Sequence, residues 1–158
     1  MDEITKKEAL RLFTYGLYAI SCADGAQRNA FTANWLSQIS FDPPLVALSV
    51  ENTSTSIHLI RASRRFAVNV FAADQRALSG RLGKNFAKDP AKLDGLRWAA
   101  AGNGCPILED TIAWVACDVA SETPCGDSTL FIGRVVDAQV LRREEPLTML
   151  AAGFKHAG

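Results

Sequence analysis

A mainly β fold, an antiparallel barrel with a few short flanking helices, is what this sequence predicts, on three observations. Six or more apolar or alternating segments follow one another at hairpin spacing. The helical patterns between them are few and do not alternate regularly with the strands, which disfavours a doubly wound parallel sheet. From residue 96 onward the pattern is entirely β. At 158 residues, a single domain covering 1–158 is expected, with enough apolar content for a substantial core.

Residues 4–13 set Ala9, Leu10, Leu12 and Phe13 among charged residues. Thr5 and Glu8 have capping-box spacing, so a short amphipathic helix is expected, ended by Gly16. Residues 17–23 read as a strand and Asp24-Gly25 as a hairpin signal, with a return strand from about Arg28 into Ala33. Residues 34–40 are extended but small and polar, Trp35 being the one large side chain. Asp42-Pro43-Pro44 is a stiff corner, since each proline fixes its φ and lacks an N–H. The continuous apolar run 45–50 reads as a strand buried on both faces, or nearly so.

Residues 54–63 fit a helix with Ile57, Leu59 and Ile60 inward, and 66–71 a strand. Residues 74–82 read as a second helix, with Asp74 near its start and Gly83 at its end. A loop over 84–90 and one helical turn at 91–93 follow. Strands at 96–100 and 106–108 flank a Gly102-Asn103-Gly104 turn. Two long strands, 112–122 and 130–142, are joined by a loop over 123–128, and 147–154 form a short apolar tail.

The formal net charge is zero, which argues against a nucleic acid or an anionic membrane surface as partner. No apolar run approaches transmembrane length, and the first residues carry acids without an apolar h-region. A cytoplasmic location is the expectation. Cys22, Cys105, Cys117 and Cys125 form no C-x-x-C pair, and only His58 and His156 could join them as ligands, so no metal site is expected. The cysteines read as small buried hydrophobes of a reducing compartment, with no local base beside Cys125. There is no phosphate-binding G-x-x-x-x-G-K-[ST] and no G-x-S-x-G elbow. His58 falls on an expected helix surface, where a solvated or capping role is ordinary, and no residue is assigned as catalytic.

What remains is a hydroxyl cluster, Asn52-Thr53-Ser54-Thr55-Ser56, immediately before a helical pattern. Backbone N–H groups and hydroxyls at a helix start hold anions well. Simple capping needs one such residue, whereas five stand here in succession. Two strands lead from the small-polar patch at 32–37 to this cluster, a plausible cradle for a flat polar ring with a phosphate tail.

In order and spacing, several segments resemble the flavin reductase-like, FMN-binding split-barrel family. They are Phe31-Thr32-Ala33-Asn34-Trp35, residues 37–40, Asp42-Pro43-Pro44 with the run to Val50, the hydroxyl cluster with Ile57-His58-Leu59-Ile60, and Phe66-Ala67-Val68-Asn69-Val70. Gly126-Asp127-Ser128 and the apolar residues to Val136 resemble the family's late strand motif, so the likeness covers roughly 10–155. It implies a Greek-key split barrel, a homodimer, FMN (or FAD) as cofactor and NAD(P)H as reductant. Electrons would then pass to free flavin, a partner oxygenase or another acceptor.

The resemblance further implies that Thr32, Ala33, Asn34, Trp35, Leu36 and Ser37 line the ring, with Ser49 also on the cofactor side. Asn34 is the favoured side-chain contact over a plain turn role; Trp35 either flanks the ring or packs in the core or dimer interface. Asn52, Thr53, Ser54, Thr55 and Ser56 would hold the ribityl chain and phosphate. Arg81, Lys84 and Phe86 fall in a loop brought near the cofactor, where a cation either neutralises phosphate or is simply solvated. Many family reductases carry His after the late Gly-Asp; this chain has Ser128, which cannot supply an imidazole's charge or shape. Phe154 and His156 resemble an aromatic-basic tail near the nicotinamide or ring. The serine keeps open a second reading, a flavoredoxin-like electron carrier reduced by a protein partner without a nicotinamide site. A third is a barrel that has lost its cofactor and serves as an interaction module.

Overall fold

The computed structural model describes residues 1–155. Its elements run α1 (Glu3–Arg11), β1 (Tyr18–Asp24), β2 (Gln27–Ala33), β3 (Leu36–Phe41), β4 (Pro44–Glu51), α2 (Ser56–Ser63) and β5 (Arg65–Val70). They continue with α3 (Arg76–Leu82), β6 (Trp98–Ala100), β7 (Pro106–Leu108), β8 (Ala113–Cys125), β9 (Ser128–Val140) and α4 (Met149–Ala152). Seven strands form one antiparallel sheet in the order β2-β1-β5-β8-β9-β4-β3, and β6-β7 form a separate hairpin.

The edge strands decide the shape. β2 and β3 lie at opposite ends of the sheet order, yet only Asn34 and Trp35 separate them in the chain. Three Cα-to-Cα steps span at most about 11 Å, so the sheet must curl until its edges meet at this point. The result is an antiparallel barrel split along one seam, as the sequence predicts. Inside it pack Ile20, Leu48, Val50, Phe66, Val68 and Phe131, closed off by Ile57 and Ile60 of α2. A second cluster, around Leu17, Phe71, Leu82, Leu108, Leu147 and Met149, seats α3 and the C-terminal segment.

Some local expectations shift. Asp2, not Thr5, caps α1, its carboxylate accepting from the Thr5 N–H at 2.7 Å. That helix buries none of its residues and ends at Arg11, ahead of Gly16. β4 buries Val46, Leu48 and Val50 while Leu45, Ala47 and Ser49 are half-buried, so it is one-sided rather than buried on both faces. A single curled sheet has one interior face, and an apolar run does not reveal which. α3 begins at Arg76 instead of near Asp74, because Gln75 Oε1 turns back to accept from the Ala72 N–H. Residues 91–93 form turns rather than a helix, and the strand expected from residue 96 starts at Trp98. The 123–128 loop shrinks to a Gly126-Asp127 turn, since Thr123, Pro124 and Cys125 continue β8 opposite Leu130, Thr129 and Ser128. The apolar tail includes a helical turn, α4.

Asn69 ties the β6-β7 hairpin to the barrel. Fully buried on β5, it donates to Ala19 O (3.1 Å) and Ser21 Oγ (3.2 Å) and accepts from Leu108 N–H (2.8 Å). Ser21 in turn donates to Pro106 O. Asn69→Ala leaves buried donors and acceptors unpaired and is expected to cost about 3 kcal/mol. Urea unfolding measures this; a midpoint within error of the parent would show the network to be dispensable.

Candidate functional site

A cleft of about 330 Å3 opens at the seam. One wall is the β2-β3 crossing, Thr32 to Trp35, held against β4 by Ser49 N–H donating to Trp35 O at 3.0 Å. A second wall is the end of β4 with the turn beyond it: Ser49, Val50, Glu51, Thr53, Ser54, Thr55 and Ser56 at the start of α2. A third comes from the loop after α3, with Gly83, Lys84, Asn85, Phe86 and Lys92, and Asn29 and Phe31 of β2 complete the lining.

The hydroxyl wall is open for a ligand. Thr55 occupies the N-cap position of α2 but makes no side-chain cap bond. Ile57 N–H donates to Ser54 O at 3.2 Å, and the rest of the helix start carries no side-chain cap, a place where the dipole favours an external anion. The seam is built from small residues with engaged side chains. Thr32 Oγ1 donates to Ser79 O at 2.5 Å, anchoring α3, and Asn34 Nδ2 donates to Met149 Sδ at 3.5 Å, a weak acceptor that a better one displaces.

Two lining residues escape a reading of the sequence. Lys92 is only 1% exposed, and its ammonium donates to Leu82 O (3.1 Å) and Lys84 O (3.0 Å) at the end of α3. Burial lowers its pKa to about 8, against smaller opposing effects of Cys22 and Asp89. Near neutral pH it remains a cation on the cleft wall. Asn29 is 2% exposed, donates through Nδ2 to Ser56 Oγ at 2.6 Å, and leaves Oδ1 without a partner. No sequence signal marks either one; a lysine in a charged loop and an asparagine near a hairpin both read as solvated.

Several expected site residues lie elsewhere. Arg81 turns away to Asp94 O (2.6 Å) and Ala91 O (3.3 Å), bracing the loop that carries Lys92. Asn52 accepts from Thr129 Oγ1 at 2.7 Å, itself held by Arg61, and lies outside the lining. Leu36 packs on the barrel core, and Ser37 is exposed with its hydroxyl on Gln38 O. Ser128 is buried at the start of β9, opposite Glu51, and donates to Asp127 Oδ1 at 2.9 Å. Phe154 borders an adjoining depression that shares Thr32, Ala33, Asn34, Gly83 and Lys84 with the cleft. Arg76 holds it there, donating to Ala152 O and lying 5.0 Å over the ring. His156 lies outside the described residues. Cys22, Cys105 and Cys117 are buried as expected, whereas Cys125 is exposed.

The flavin reductase like domain family matches residues 10–158. This chain belongs to the flavin reductase-like family. It is 30% identical over 149 residues to a flavin reductase of Pseudomonas putida, covering 94% of this chain and 86% of that one. It is 33% identical over 143 residues to the high molecular weight rubredoxin of Moorella thermoacetica, covering 89% of this chain but only 62% of that relative's length. Among solved structures it is similar to a nitrilotriacetate monooxygenase component B homolog from Mycobacterium thermoresistibile. There the TM-score is 0.85 at 28% identity, over 93% of this chain and 82% of the other. The split barrel of the flavin reductase-like family is thus the architecture here. No helix among its described residues is long and apolar enough to cross a membrane.

Proposed function

We propose that this flavin reductase-like chain is an oxidoreductase that holds FMN in the seam cleft. It would draw electrons from NADH or NADPH and deliver them to free flavin, a partner oxygenase or another acceptor. One observation carries the reading: a helix start without a side-chain cap, a buried lysine and a buried asparagine all line one cleft beside a stretch of small residues. That donor set fits a ligand with an anionic end, hydroxyls and a flat polar ring, and the cleft lies within the size range of small-molecule sites. A bound flavin supplies acceptance of two electrons as hydride and their onward release, chemistry no side chain here provides.

The chain's own residues bind and orient. Thr53, Ser54, Thr55 and Ser56 offer hydroxyls and the α2 dipole to the phosphate, and Lys92 adds a positive potential that also favours negative charge on a reduced ring. Ala33 admits the ring close to the backbone between Thr32 and Asn34, while Trp35 and Phe86 shield its faces from water. The adjoining depression under Phe154 is the place for the nicotinamide. A homodimer would bury the remaining open side. The names of the relatives favour an oxygenase component as the recipient of electrons.

The electron-carrier reading keeps one specific support, since Ser128 engages its own neighbour Asp127 instead of aiming into the cleft. An anaerobic visible spectrum of the FMN-loaded protein separates the two. Bleaching by NADH or NADPH within the mixing time is the expected result. Persistent yellow with both nucleotides, but bleaching with a reduced ferredoxin or rubredoxin, would transfer the case to the carrier, and a protein that takes up no FMN would end both.

A further inference from the structure

We propose that a second cleft, on the outer face of β8 and β9, binds a small aromatic amine in its ammonium form. This site goes beyond the function above. Its volume is about 340 Å3, and it shares no lining residue with the seam cleft or with the depression under Phe154.

The cleft marks where the β6-β7 hairpin stops covering the sheet. Along β8, Cys117 and Val119 face the barrel core, whereas Trp114 and Ala116 face outward and pack with Ala67 and Ile107 under the hairpin. On the next strand Gln139 lies opposite Trp114 and Asp137 opposite Ala116, so these polar residues share that outer face. The facing side of the hairpin offers only Ala99, Ala100, Ala101 and Gly102, none of which can reach across to β9. A gap with Trp114 as one of its walls is the result.

Trp114 is 8% exposed, yet its indole N–H meets no acceptor among the described residues. A buried indole N–H ordinarily finds one. Among those residues, the one unpaired side-chain polar atom sealed from solvent is Asn29 Oδ1, so the indole N–H keeps an opening. The rim is acidic. Asp137 has no cationic partner among the described residues, and Arg97 is divided between Glu109 (3.8 Å) and Asp110. Asp137 Oδ1 accepts from Ala138 N–H at 2.8 Å, which leaves Oδ2 for a ligand. Carboxylates repel an anion and draw a cation, and an indole face adds to that attraction. The alanine wall suits an apolar body rather than a hydrated metal ion. A hydroxyl on that body would complete the indole N–H.

Three probes of one shape test this by calorimetric titration: tyramine (cation), 4-ethylphenol (neutral) and 3-(4-hydroxyphenyl)propanoate (anion). Each is run with FMN absent and with FMN in excess. Tyramine is expected to bind about five-fold more tightly than 4-ethylphenol, the anion to bind most weakly, and FMN to change nothing. Asp137→Asn, a change at an exposed strand position, is expected to bring tyramine down to the affinity of 4-ethylphenol, which itself stays as in the parent. Equal affinity for cation and anion, no binding of tyramine, or tyramine unweakened by Asp137→Asn overturns the assignment. Tyramine displaced by FMN would place it in the seam cleft and overturns it as well. Failure of the protein to take up FMN bears on the flavin reading alone, since the titrations without FMN still decide this one.

Discussion

Gly133→Ala is expected to destabilise the barrel by about 3 kcal/mol, at the upper end of ordinary overpacking. Gly133 sits in the middle of β9, opposite Val46 on one side and Val119 on the other. A Cβ there would lie 2.5 Å from Phe66 Cζ, 2.7 Å from Cε1 and 3.0 Å from Cys117 Cβ. Phe66 is fully buried on β5, two strands away, and its ring lies across β8 onto the bare backbone of β9. The ring occupies the volume a side chain would need, and it has no space to retreat because Phe131 and Ile60 share the same cluster. Urea unfolding with an unchanged slope and a lowered midpoint is the expected result. Phe66→Leu should relieve part of the loss in the double variant, because the two changes meet at one contact. A single variant as stable as the parent would show the ring to be movable.

Stability should pass through a maximum near pH 9 and then fall steeply. Burial pushes Cys22 up to about 12, with a further effect from Cys105; burial also pushes Cys117 up to about 12 and Cys105 up to about 11. Above the ordinary thiol value of 9.0 the unfolded chain releases these protons and the folded chain retains them. Each thiol therefore costs about 1.4 kcal/mol of stability per pH unit up to its folded value. Lys92 acts with the opposite sign. Its pKa falls from 10.5 to about 8, so between those values the folded chain has shed a proton that the unfolded chain keeps, and stability rises with pH. From pH 8 to 9 the amine acts alone. From 9 to 10.5 three thiols oppose it, a net loss of about 3 kcal/mol per unit. Urea midpoints at three or four pH values across this window test the profile. Lys92→Met should abolish the rise below pH 9 and leave the fall; a parent curve that keeps rising past pH 9 would show that the thiols ionise freely, and a flat one that neither thiols nor amine is shifted.

Local pattern made most of the barrel legible. The Asp24-Gly25 hairpin signal set β1 against β2, a glycine turn separated β6 from β7, and Ile57 and Ile60 marked the inward face of α2. Facts set by distant partners were hidden. The run Leu45 to Val50 looks apolar throughout, and only the curl of the sheet leaves Leu45 and Ala47 half outside. Pro124 reads as a loop residue, yet it lies at an exposed strand end where no N–H is demanded of it. At the cleft, the seam and hydroxyl wall stood out because their composition is unusual. Lys92 and Asn29 did not, since their burial comes from a loop folding back and from contact with Ser56. Arg81 misled for the same reason: its carbonyl partners, Ala91 and Asp94, lie in a loop whose path no pattern dictates.

The order of strands in the sheet also bears on how the protein is made. β4 finds its inner neighbour only in β9, nearly half the chain later, so during synthesis one flank of β4 waits unpaired while the intervening elements emerge. Until β9 emerges, β3 and β4 pair with no other strand and are tied to β2 only through the two residues that follow it, and a chaperone that shields the idle edge would have the most to contribute in that interval.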